Sequence, residues 1–292
     1  MWWLASARVT GSNGLHWSFN IPAVSGSSGP VKKSLKKEGC NLPCLNCGQT
    51  KTIEAHLIPK AFVMEVKADR GEQHLIVHKG NPHPKVSHTG VYDKDILCGD
   101  CDNILGRYES YAFDLFRKIR TQPVSAGKII SVDGVDGDML VRFASGIAWK
   151  YAVTIPDRGR IDIGPYKDIL RIVALSDGQI PNAIDVTIAR IIELDGDVYY
   201  YRTPMPDRKK GVNVVRFCLG GFLILLKIDK RPPGNWLPEE CWLRGRKKGA
   251  FVTLPAEYVE EATLHAELAN RTPVRRFFGK MREYSARNSK QG

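Results

Sequence analysis

The sequence predicts an α+β protein in two parts: a small cysteine-stapled module, then a larger region of helices and antiparallel hairpins. Three observations predict it. Two C-x2-C pairs, Cys44-Leu45-Asn46-Cys47 and Cys98-Gly99-Asp100-Cys101, bracket a stretch that holds Glu54-Ala55-His56-Leu57-Ile58-Pro59. An apolar helical period follows the second pair at once, at Ile104, Tyr108, Tyr111, Ala112, Leu115, Phe116 and Ile119. Beyond residue 180, apolar and β-branched runs flank the turn signals Asp195-Gly196-Asp197 and Gly220-Gly221.

Residues 1–38 are expected to be a flexible N-terminal arm. They carry Trp2, Trp3 and Trp17, then the connector Ser25-Gly26-Ser27-Ser28-Gly29-Pro30, then Lys32, Lys33, Lys36 and Lys37. Residues 39–120 form the module. Two C-x2-C knuckles can supply four thiolates to one tetrahedral zinc; buried free thiols are the alternative. Gly48 and Gly99 suit the tight turns of such knuckles. A hairpin strand is expected to hold His56 rigidly beside the metal. Residues 66–90, polar and rich in Gly, Pro and His, are expected to be a long loop. Asp102 or Asn103 is placed to cap the following helix. Knuckle, hairpin, knuckle, helix is the layout of a treble-clef zinc module.

Residues 121–292 are expected to form an accessory α+β domain. Helices are predicted over 139–153, where Leu140, Phe143, Ile147 and Tyr151 share a face, and over 166–175. Strands are predicted over 186–194, 198–201, 212–218, 222–228 and 250–254. Residues 256–285 form a terminal helical segment interrupted near Pro273.

Composition narrows the function classes. Of 292 residues, 43% are hydrophobic, enough for a packed core. Lys and Arg number 43 against 31 acids, a net charge of +12, which suits a polyanion such as nucleic acid. An inert basic surface is the alternative. Seven cysteines, with Cys40, Cys218 and Cys241 outside the pairs, fit metal binding in a reducing compartment better than a disulfide framework. No apolar run approaches the ~20 residues of a membrane span, and the N-terminus lacks a basic leader, so a cytoplasmic protein is expected.

Cys44-x2-Cys47, then Ala55-His56-Leu57-Ile58-Pro59-Lys60-Ala61-Phe62, then Ile96-Leu97-Cys98-x2-Cys101 resembles the HNH endonuclease family of the His-Me finger, or ββα-metal, superfamily. The run from Gly90 to Asn103 is similar to a divergent bacterial HNH-like group, and the likeness covers roughly residues 40–116. It implies a nuclease in which His56 is the general base, the zinc is structural and a Mg2+ or Mn2+ ion serves catalysis. Where the family commonly carries Asp or His before the base, this chain has Ala55. Asp93 stands at the Asn position, and Asp102 stands where a His usually follows the last cysteine. Asp102, with Asp93, Asn103 or Glu54, would then hold the catalytic ion.

Each of these residues has a plainer reading. His56 could close the hairpin as a core histidine. Asp102 and Asn103 could only cap a helix, and Asp93 could be a turn residue. His74, His78, His83 and His88 are irregularly spaced and suit a solvated loop. The candidate phosphate contacts are Lys60, Arg107 and, in a C-terminal cluster interleaved with Phe277, Phe278 and Tyr284, Arg275, Arg276, Lys280 and Arg282. The expected function is phosphodiester hydrolysis in nucleic acid, with DNA ahead of RNA. The alternatives are a zinc-dependent nucleic-acid-binding protein without chemistry and a protein-interaction module.

Overall fold

A computed structural model describes residues 2–5, 42–70, 74–78, 81–87, 89–193, 196–197, 201–276 and 279. Strand β1 (Trp2–Ala5) precedes the cysteine module, in which β2 (Ala55–His56) and β5 (Tyr92–Asp93) form a short hairpin. Between them the chain runs through helix α1 (Lys60–Arg70) and strands β3 (His74–His78) and β4 (Asn81–Ser87). Helix α2 (Gly99–Arg120) closes the module. Strand β6 (Ile129–Asp133), α3 (Gly137–Val153) and α4 (Tyr166–Leu175) follow. Then come β7 (Ile184–Glu193), β8 (Gly196–Asp197), β9 (Tyr201–Lys209), β10 (Val212–Leu219), β11 (Phe222–Ile228), β12 (Lys248–Pro255) and α5 (Glu260–Ala269).

The α+β class predicted from the sequence is the class observed. One sheet runs in the order β4-β3-β1-β9-β10-β11-β7-β12-β6, with β8 paired to β7. All its pairings are antiparallel except β12 with β7. The β10–β11 hairpin turns at Gly220 and Gly221, with φ of 59° and 84°, a left-handed pair that side chains with a Cβ rarely adopt. Strands β10 and β11 are buried along nearly their whole length, because layers cover both sheet faces. On one face lies α3, buried at fourteen positions from Gly137 to Ala152, with α2 and α4 packed against it. On the other face Ile191 and Cys218 meet Val259 ahead of α5.

An aromatic cluster ties the module to the sheet. Phe62 of α1, Phe116 of α2, Phe143 of α3 and Phe222 of β11 meet, with Phe116 stacked on Phe222 at 4.2 Å between centroids. The hydrophobic core runs without a break from Cys44 to Phe251, so the expected boundary at residues 120 and 121 falls inside it. Arg190 of β7 donates to the carbonyls of Ile119 and Gln122 at 3.0 and 2.7 Å, closing the C-terminal end of α2 with a cation.

Three expectations need correction. The expected loop over 66–90 instead holds the end of α1 and the β3–β4 hairpin. It is strand because β1 supplies a pairing edge, Trp2 to Ala5 opposite His78 to Leu75, which local polarity does not reveal. Trp2–Ala5, expected in a flexible arm, is a strand held between β3 and β9; the rest of that arm lies outside the described residues. Helix α2 starts at Gly99 with Cys98 at its N-cap, so Asp102 lies within the first turn and Asn103 follows it, and neither caps. The second knuckle is itself the opening turn of the helix, and Asp100 sits there favourably with the helix dipole.

Candidate metal centre and histidine hairpin

Two turns bring the four paired cysteines together. In the first knuckle the Gly48 amide donates to the Cys44 carbonyl at 2.9 Å, and Gly48 takes a φ of 77°. In the second, the Asp102 amide donates to the Cys98 carbonyl at 3.0 Å. Backbone bonds from Leu45 to Ile96 and from Ile53 to Leu97 sew the two segments side by side. The Sγ atoms of Cys44, Cys47, Cys98 and Cys101 all lie within 4.8 Å of one another. Tetrahedral zinc with Zn–S bonds of ~2.3 Å sets its sulfurs about 3.8 Å apart, so this cage fits zinc with little adjustment.

The electrostatics of the cage favour a cation. Burial opposes ionisation of Cys44, but backbone amides of Cys47, Cys98 and Asn46 outweigh it and take the thiol down to about 6. Burial pushes Cys101 well above the usual thiol range, and the neighbouring cysteines add to this. Burial likewise raises Cys98. One thiolate is easy to form and four together are not, unless a positive ion shares them. Among the described residues this is the one group of three or more His, Cys, Asp or Glu side chains placed to hold a metal. Cys40 lies outside the described residues; Cys218 and Cys241 are buried elsewhere.

The hairpin carries His56 opposite Tyr92 and Ala55 opposite Asp93. The His56 backbone is fixed from α3: the Lys150 ammonium, only 1% exposed, donates to its carbonyl at 2.6 Å and to Glu109 Oε1 of α2 at 2.8 Å. Nε2 of His56 is covered and has no hydrogen-bond partner. Burial lowers its pKa, the Lys150 and Lys60 charges lower it further, and Glu109 and Glu54 pull the other way. The imidazole is therefore neutral at pH 7. Asp102 is half-buried; burial raises its pKa, the Lys150 charge lowers it and the Glu109 charge raises it. His56, Asp102, Glu109 and Lys150 thus form one electrostatic group on three elements.

The other expected site residues fall elsewhere. Asp93 is buried, and its carboxylate accepts from Thr154 at 2.5 Å, the Asp95 amide at 3.1 Å and Arg158 at 2.7 Å. Burial opposes its charge, but these partners outweigh it and lower its pKa. Asp93 is a strut between the hairpin and the end of α3, with no oxygen left open. Glu54 is exposed and paired with Lys94 at 2.9 Å; Asn103 is exposed on α2. Lys60 is exposed at the start of α1 and its charge reaches His56. Arg107 shares a cleft of about 230 Å3 with Asp136, Asp138 and Asp177, carboxylates that compete with phosphate. Arg275 and Arg276 are exposed beyond α5, whereas Lys280, Arg282 and the rings of Phe277, Phe278 and Tyr284 lie outside the described residues.

Glu109 and Lys150 escaped the sequence reading. Glu109 stands two helical turns past Asp102, and Lys150 is one of two cations, with Arg142, on the most apolar helix; both are signals a motif search passes over. Among the described residues no helix is long and apolar enough to cross a membrane. No protein-family model, curated protein or solved structure matches this chain. The resemblance to HNH nucleases therefore rests on the residues of this chain alone.

Proposed function

We propose that this chain is an HNH-like phosphodiester hydrolase acting on nucleic acid, with a structural zinc and His56 as the general base. The observation that carries the reading is the buried, unpartnered Nε2 of His56 on a hairpin strand sewn to a four-cysteine cage. The lowered pKa keeps the imidazole neutral, so that one ring nitrogen can accept a proton at neutral pH. Lys150 fixes the strand that carries it, so the base is pre-oriented.

Four thiolates leave zinc no open position, so its part is to hold the knuckles. Asp102 would offer an oxygen atom to Mg2+ or Mn2+, which would neutralise charge on the leaving oxygen, while Glu109 stays paired with Lys150. Asp93 is left to brace the hairpin. Lys60, whose charge reaches His56, and the basic balance of the chain would supply phosphate attraction.

A second reading has its own observation. Ala55 is wholly buried beside the base, and the Lys150 ammonium already neutralises Glu109. On that reading the chain is a zinc-stapled nucleic-acid binder without chemistry. Incubating the purified protein with plasmid and with RNA, with and without Mg2+ or Mn2+, separates the two. Cleavage by the wild type and none by His56→Ala, with zinc content and binding kept, is the expected result. Binding without cleavage under any divalent ion establishes the second reading instead.

A further inference from the structure

Asn46 is an inner residue of the first knuckle, and both ends of its amide are engaged. Nδ2 donates to Cys101 Sγ of the second knuckle at 3.2 Å. Oδ1 accepts from the Arg171 guanidinium of α4 at 3.1 Å. Arg171 has donors only, so it can face only the oxygen of the amide. That contact dictates which way the amide points and aims its N–H at the sulfur. The reversed amide would set an oxygen against a thiolate and an NH2 against a guanidinium. The contacts span 55 and 125 residues of sequence, so the tertiary fold makes this chain of three groups.

We propose that Asn46 and Arg171 form an outer-sphere relay for the metal cage: Asn46 stabilises the Cys101 thiolate by hydrogen bonding, and Arg171 is a positioning residue that acts through Asn46. The proposal rests on the cysteines holding a metal and is independent of the nuclease reading. The Asn46 N–H is a side-chain donor aimed at the Cys101 sulfur, 3.2 Å away. A donor to a coordinating sulfur favours and orients the thiolate, which raises metal affinity, and it spreads the thiolate charge, which lowers the sulfur's nucleophilicity. The relay joins the cage to α4, so metal occupancy is felt in a helix packed against α3.

The test uses full-length, zinc-loaded protein. Zinc affinity is measured by competition with a chromophoric chelator, and ligand reactivity by the rate of alkylation with iodoacetamide. Asn46→Ala is expected to weaken zinc binding about tenfold or more, in the range usual for outer-sphere partners, and to speed alkylation. Asn46→Asp keeps the shape and can still pair with Arg171 but has no donor for sulfur, so it is expected to lose at least as much. Arg171→Ala is expected to show a smaller loss, partly restored by Arg171→Lys. Asn46→Ala/Arg171→Ala should match Asn46→Ala alone, because one residue acts through the other.

Full zinc affinity in Asn46→Asp would overturn the proposal, since a purely steric role is all that variant preserves. Additive losses in the double variant would overturn the part given to Arg171. A wild-type chain that holds no zinc by metal analysis overturns the relay at its premise. Asn46→Asp and Arg171→Lys keep the comparison readable if an alanine variant fails to fold.

Discussion

Lys150→Met tests how the histidine hairpin is held. The ammonium is 1% exposed and makes two charge-assisted bonds, to the His56 carbonyl at 2.6 Å and to Glu109 at 2.8 Å. Methionine keeps most of the volume and removes both bonds, leaving a carbonyl and a carboxylate unpaired. Breaking one partner of a buried pair costs roughly 3–5 kcal/mol. The Glu109 side chain is 22% exposed and keeps some water, which puts the expected loss near the lower end, about 3 kcal/mol. Lys150→Met/Glu109→Gln removes the stranded charge and should return to within about 1 kcal/mol of wild type. Urea unfolding at pH 7 measures both.

The same variants move His56 in opposite directions. Burial is the main cause of its low pKa and the Lys150 charge the next, so Lys150→Met raises it; Glu109→Gln, removing a neighbouring anion, lowers it. NMR titration of the imidazole reads the two shifts. A double variant whose loss equals the sum of the singles, or a His56 titration that ignores both charges, would refute the reasoning. The sign for stability follows. Below the ordinary histidine value of 6.5 the unfolded chain takes up a proton that folded His56 resists, so stability falls as pH drops through 6.5 toward the folded value. His56→Ala should flatten that slope.

Three further outcomes are expected. Metal analysis should find one zinc per chain, and Cys98→Ser should lower it and bring forward the thermal unfolding of residues 42–116, because the cage closes both knuckles. Asp102 is held above the usual carboxylate range chiefly by burial, so its charge works against the fold at pH 7 and that penalty fades as pH falls toward 3.8. Asp102→Asn should therefore raise the urea midpoint at pH 7 while abolishing metal-stimulated cleavage; a lower midpoint with full cleavage would place the carboxylate in the structure and outside the chemistry. Glu261, wholly buried, is clasped by Arg202 and by both sides of Arg216, so Glu261→Gln should cost about 3–5 kcal/mol and loosen α5, seen as faster amide exchange over residues 260–269.

Much of this protein was legible in the sequence because its signals are local. C-x2-C spacing sets two sulfurs on one turn whatever surrounds it. The apolar period from Ile104 to Ile119, and again from Leu140 to Tyr151, names the buried face of a helix before its partner is known. Gly220-Gly221 sets a left-handed turn, and with it the pairing of Val214 to Leu219 against Phe222 to Lys227.

Tertiary structure decided what depends on distant chain. Strands β3 and β4 exist as part of the sheet because β1 pairs beside them from about 70 residues away, and no property of residues 74–87 announces that edge. Strand β12 lies parallel to β7 across 54 residues of intervening chain, from 194 to 247, a topology fixed by packing on both sheet faces. At the candidate site, C-x2-C spacing named the cysteines and the HNH resemblance named His56, but Lys150 reaches His56 across 94 residues and Arg171 reaches Asn46 across 125. Asp93 shows the same limit from the other side: its residue type suits a metal, and only the arrival of Thr154 and Arg158 turns it into a strut. A residue's chemistry is written in its type, but whether its lone pairs are free depends on which remote groups the folded core brings within hydrogen-bond reach.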